Sequence, residues 1–189
     1  MEAAKRRSGA SEKRGIGETE NRGVKSVAPI RRGSGSPILR KRADPRALAL
    51  ETLLRVEATD AYANLLLDAR LRKAGLPEPD RALATELVYG VLRWRGKLDW
   101  ILSHVLDRPM ATIDLAVRQI LRLGTYQLCC LTRIPAFAAV DQAVRLSRQA
   151  GAGKSASYVN AVLRSVARQR EWPCPDQTAD PAGYWETVG

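Results

Sequence analysis

A chain of 189 residues, 45% of them hydrophobic, suits one well-buried core with an appendage better than two domains. No stretch approaches the roughly 18 consecutive apolar residues of a membrane span, and no short apolar core follows the basic start as in a secretory signal. A soluble, cytoplasmic protein is therefore expected, and 31 Lys and Arg against 20 Asp and Glu, a formal net charge of +11, point to a polyanionic partner.

That charge is unevenly placed. Residues 1–43 hold 12 Lys and Arg against 4 Glu, whereas everything after them holds 19 against 16. The opening stretch, with GSGS at 33–36 and the basic clusters KRR, RR and RKR, shows no apolar period and too little hydrophobic content to offset the entropy of ordering it. It reads as a disordered basic tail. Arms of this kind bind polyanions by releasing counterions, with a merely solubilising extension as the competing reading.

From Asp44 onward the apolar residues recur at threes and fours without sustained alternation, so the elements read as all-helical. Helices are expected over 45–58, 62–74, 80–106, 114–131, 137–150 and 154–170. Asp44 before Pro45 forms an N-cap and first-turn pair, and Asp80 after Pro79 is a second cap candidate. At about 1.5 Å per residue the third element would reach about 40 Å, so a bend near Arg95 and Gly96 is expected, giving about six to seven helices.

Two glycines stand inside helical stretches, where each costs about 1 kcal/mol relative to alanine. Gly90 lies on the stripe of Leu83, Leu87, Trp94, Leu98, Ile101 and Val105, and Gly124 lies on the stripe of Val117, Leu121, Leu128 and Leu131. Both are expected to face inward and to let the third and fourth helices approach backbone to backbone.

Along the last helix Val159, Val162, Leu163 and Val166 form an apolar face, with Arg164 and Arg168 together on another and Lys154 at the helix start. With Arg118 and Arg122, also four apart, these cations form a candidate phosphate-binding surface; ordinary solvated helix faces are the alternative. Asn160 is expected to fix the final helix by a hydrogen bond to a neighbouring loop. His104, the only histidine, has no metal-ligand neighbours in sequence, and Glu86 and Tyr89 read as surface or helix-contact residues. Cys129 and Cys130 are adjacent and Cys174 stands apart, which offers neither a disulfide framework nor a metal site, so reduced thiols are expected.

The segments RALALETLLRV at 46–56, YANLLLD at 62–68, DRALATELVYGVLRWRGKLDWIL at 80–102, LRLGTYQL at 121–128, IPAFAAVDQAV at 134–144 and VNAVLR at 159–164 together resemble the NusB-like domain family. This is the helical domain shared by the antitermination factor NusB and the N-terminal part of the bacterial small-subunit rRNA cytosine methyltransferase RsmB. The likeness is greater to the methyltransferase, although Phe137 and Asp141 stand where that family usually has histidine and often has asparagine. It implies a NusB-like helical bundle over 44–171 that binds RNA, rRNA above all, with Arg40, Lys41, Arg42 and Arg46 as the matching arginine-rich start.

It also implies that residues 172–189 begin the connector to a catalytic half, as in a truncated or split gene product. Pro173-Cys174 lacks a preceding apolar strand and reads as a linker thiol rather than a nucleophile. No catalytic residue, metal or cofactor is expected on this chain, and S-adenosylmethionine would belong to a methyltransferase domain or polypeptide acting as partner. A NusB-type antitermination factor working with a ribosomal protein, and a protein-interaction scaffold without RNA affinity, are the competing functions.

Overall fold

A computed structural model of the chain describes residues 44–169 and Trp172. The basic tail at 1–43, and all of 172–189 except Trp172, lie outside the described residues. Within them the backbone forms seven α-helices and no strand: α1 (Pro45–Thr59), α2 (Ala63–Ala74), α3 (Glu78–Arg93), α4 (Arg95–Ser103), α5 (Leu115–Cys130), α6 (Ala136–Gln149) and α7 (Ala156–Arg168). Single 3₁₀ turns at Met110–Thr112 and Gly153–Ser155 lead into α5 and α7.

Local chemistry explains several of the boundaries. The Asp44 carboxylate accepts from the Arg46 N–H at 2.9 Å with Pro45 in the first turn, and Asp114 does the same for α5 through Ala116 N–H at 2.9 Å. Asp80 is not a cap: α3 starts two residues earlier than expected, behind Pro77, and Asp80 lies in its first turn beside the positive end of the helix dipole. Gly75, at φ +60°, ends α2 in a left-handed conformation that side chains rarely adopt. The long 80–106 element divides at Trp94, whose φ of −101° and ψ of 19° leave the helical region one residue before the expected bend.

The core is organised around α5. It packs against α1, α3, α4, α6 and α7, and every residue from 117 to 127 except Arg118 is buried. The stripe legible in sequence is thus only one face of a helix enclosed on several sides. Neighbours complete the interior: Leu53 from α1, Leu87 and Val88 from α3, Ile101 and Leu102 from α4, and Val159, Val162, Leu163 and Val166 from α7. Burying each such side chain contributes about 1.5–3 kcal/mol.

Both interior glycines face inward, but not toward each other. A Cβ on Gly90 would stand 2.0 Å from Tyr126 Cζ on α5, and a Cβ on Gly124 would stand 2.5 Å from Leu163 Cδ1 on α7. Tyr126 is two residues beyond Gly124, about 200° around the helix, so α3 meets the side of α5 opposite Gly124. The expected glycine-to-glycine contact is therefore replaced by two separate ones, each making room for a side chain.

Candidate nucleic-acid interface

Arg46 sits in the first turn of α1, where a cation opposes the helix dipole. It is nevertheless held there: its Nε donates to Gln127 Oε1 at 2.8 Å, and Gln127, itself buried, donates through Nε2 to the Leu123 carbonyl at 3.0 Å. The buried amide fixes one edge of the guanidinium and leaves its terminal nitrogens without a protein hydrogen bond among the described residues. Arg40, Lys41 and Arg42 lie outside the described residues.

Arg118 and Arg122 are not part of an exposed surface, which corrects the sequence-based assignment. Arg122 is only 3% exposed and holds Asp99 of α4 through two bonds of 2.7 Å, while its Nη1 donates to Glu57 of α1 at 2.9 Å. Arg118 donates to the other Glu57 oxygen at 2.9 Å, and Gln119 also bonds that carboxylate. Burial acts to pull the Arg122 pKa down, but the hydrogen bonds and charges of Asp99 and Glu57 more than offset it and hold it above the ordinary arginine value. The face of α5 that carries these arginines is covered by α1 and α4, so they tie three helices together instead of meeting phosphate.

Two of the remaining predicted cations line a groove between α6 and α7. A short turn joins the two helices, closed by Ser147 Oγ donating to the Ala152 carbonyl at 2.8 Å and Ala152 N–H donating to the Ser147 carbonyl at 2.9 Å. Arg164 and Arg168 line the groove from α7, and Lys154 is exposed in the turn before that helix. Arg168 Nη2 donates to Ser165 Oγ at 2.9 Å. Asn160 lines the same groove and its side-chain amide makes no hydrogen bond among the described residues, so the expected bond to a loop is not formed there. Phe137 stands on the opposite wall, 78% exposed.

Several other groups are accounted for without chemistry. Glu86 accepts the Tyr126 hydroxyl hydrogen bond from α5, and burial followed by that carboxylate pushes the phenol above the ordinary tyrosine range. His104 Nδ1 lies 2.8 Å from the Trp100 carbonyl, and its ring sits 4.4 Å from the Trp100 ring. Cys129 and Cys130 are exposed free thiols; partial desolvation by the surrounding protein, then the neighbouring Cys130, pushes Cys129 up to about 11, which suppresses its thiolate at neutral pH. Among the described residues no group of three His, Cys, Asp or Glu is placed to hold a metal, and no helix is long and apolar enough to cross a membrane. Sequence reasoning missed Gln127 as the support of Arg46, because the two residues are 81 apart and no local pattern links them.

Residues 43–168 match the NusB family. The chain belongs to that family. The chain is 43% identical over 151 residues to a putative methyltransferase of Mycobacterium tuberculosis, covering 77% of this chain and 33% of the relative. It is 38% identical over 141 residues to the probable ribosomal RNA small subunit methyltransferase B of Bacillus subtilis, covering 75% and 31%. The chain thus spans about a third of the length of these methyltransferases and matches their N-terminal part. It is also 36% identical over 124 residues to the transcription antitermination protein NusB of Halorhodospira halophila, covering 66% and 79%. A solved structure of antitermination factors NusB and NusE in complex with double-stranded RNA shares the fold, with a TM-score of 0.61, 21% identity, and coverage of 67% of this chain and 96% of that one.

Proposed function

We propose that this NusB-family chain is an RNA-binding accessory domain that brings small-subunit ribosomal RNA to a cytosine-carbon-5 methyltransferase and performs no methyl transfer itself. The match of three quarters of the chain to the N-terminal third of methyltransferases carries this reading. An all-helical bundle among the described residues supports a binding role. The methyl donor would be held by a catalytic domain or partner polypeptide. A binding domain raises the reaction rate by raising the effective concentration of RNA at that partner.

Arg46, Lys154, Arg164 and Arg168, with Arg40, Lys41 and Arg42 beyond the described residues, are the cations proposed to meet phosphate. The cytoplasm is the compartment in which such a protein would work. Affinity purification of the tagged full chain tests the assignment, with co-purification of a methyltransferase polypeptide and small-subunit rRNA as the expected outcome. The likeness to the H. halophila NusB favours a second reading, antitermination with a ribosomal protein. Recovery of a ribosomal protein with the transcription machinery, and no methyltransferase, would select it. Methyl transfer to rRNA by the purified chain alone would overturn the non-catalytic assignment.

A further inference from the structure

The groove between α6 and α7 encloses about 780 Å³. Phe137 and Asp141 stand four residues apart on its α6 wall, and Asn160, Arg164 and Arg168 follow at four-residue steps on its α7 wall, so each set shares one helix face. Val140 supplies buried apolar surface between them. Phe137 is the most exposed large hydrophobic side chain among the described residues. The side chains of Asp141, Asn160 and Arg164 make no hydrogen bond or ion pair among those residues, although an acid and a base line the same groove. Nothing in the packing of the core requires this combination.

We infer that the groove is a base-reading subsite for single-stranded RNA, taking an unstacked base that bears an exocyclic amine. The inference rests on the RNA-binding reading above and adds where and how a base is read. The exposed Phe137 ring offers a platform on which any base can stack. A carboxylate only accepts hydrogen bonds, so Asp141 favours the amines of cytosine, adenine or guanine and disfavours uracil, which presents a carbonyl oxygen at the corresponding position. The Asn160 amide both donates and accepts, which suits the remaining edge of a ring. Arg164 and Arg168 supply the phosphate contacts.

Separation of charge within the ligand decides between nucleic acid and an acidic peptide. Peptide carboxylates that satisfied the two arginines would share the groove with Asp141, a like charge. A nucleotide holds phosphate and base apart on the sugar, and meets arginine and carboxylate at once. The groove also shares Ala136 and Ala167 with the adjoining hollow under Trp94, where Lys97 Nζ lies 5.5 Å from the Trp94 ring centroid. That pairing of an aromatic with a cation gives the strand a second station.

Fluorescence anisotropy of the full chain with fluorescein-labelled oligocytidylate, oligoadenylate and oligouridylate decanucleotides, across about 50 to 300 mM salt, tests this. Oligocytidylate and oligoadenylate are expected to bind more tightly than oligouridylate. Phe137→Ala should weaken oligocytidylate about tenfold. Asp141→Asn should abolish the base preference, chiefly by improving oligouridylate, because an amide can donate to its carbonyl. Arg164→Ala should flatten the logarithmic salt slope by about 0.7. All three side chains are exposed, so melting temperatures should not change.

RNA binding with no base preference, or with affinities and slopes unmoved by the three variants, would overturn the groove assignment while leaving the RNA-binding reading standing. Failure of the wild-type chain to bind any RNA at low salt would instead remove both. Phe137→Ala that spares RNA binding but abolishes retention of a methyltransferase polypeptide would give the groove to a protein partner, against the inference.

Discussion

Gly90 and Gly124 each leave a space that a neighbouring side chain fills. Tyr126 cannot easily yield at Gly90, because its ring is buried and its hydroxyl is bonded to Glu86. Gly90→Ala should therefore destabilise the protein by about 1–3 kcal/mol despite the gain of about 1 kcal/mol in helix propensity. Urea denaturation measures it, and a midpoint equal to or above that of the wild type would show the packing argument to be wrong. Arg122 invites a second test at this scale. Replacing it with methionine strips Asp99 of its cation and leaves Glu57 to Arg118 and Arg95, at an expected cost of about 2–4 kcal/mol, discounted for their partial exposure. RNA affinity below the melting transition should be unaffected; a lower affinity with unchanged stability would restore Arg122 to the binding surface. Sequence placed two arginines four apart on one helix correctly, but the acids that neutralise Arg122 lie 23 and 65 residues away. Spacing along a helix carries no information about what covers it.

Helices were legible where their signals are local. The Asp44-Pro45 pair and the periodicity of α5, α6 and α7 are written within a few residues, and the observed ends fall close to the expected ones. The break at Trp94 and the early start of α3 depend on how that segment wraps the bundle, which local propensity does not encode. The enclosure of α5 by five other helices is likewise a tertiary fact, visible only once Thr125 and Gln127 prove as buried as Leu121. Tyr126 and Glu86 join α5 to α3, and this contact has a pH signature. Tyr126 titrates above its unfolded value of about 10, so its contribution to stability is complete below that pH and is lost as pH rises above it, when only the unfolded chain releases the proton. The urea midpoint should fall between about pH 9 and 11 more steeply in the wild type than in Tyr126→Phe. Parallel declines in the two proteins would contradict a buried, proton-holding tyrosine.

Among the described residues most apolar faces are spent on one another, and the sequence-predicted cations that stay available are a propped arginine at the start of α1, Lys154 in the turn before α7, and Arg164 and Arg168 in the α6–α7 groove. The basic character of the chain was plain from its composition, and Arg164, Arg168 and Lys154 are exposed as the helix pattern implied. The groove itself was not legible, because Phe137 and Asp141 belong to one helix and Asn160 to the next, and only their packing brings the two faces together. Membership of the NusB family and the match to methyltransferase N-termini make RNA the ligand on which the proposed role depends. The most direct measurement is a salt titration of the full chain with small-subunit rRNA fragments, comparing the wild type with a variant carrying Arg46→Glu, Arg164→Glu and Arg168→Glu. The account predicts affinity that falls linearly with salt on logarithmic axes, and a variant that binds more weakly with a shallower slope while keeping its helicity. Wild-type protein that ignores rRNA at low ionic strength, or a variant that binds as tightly as the wild type with the same slope, would contradict it.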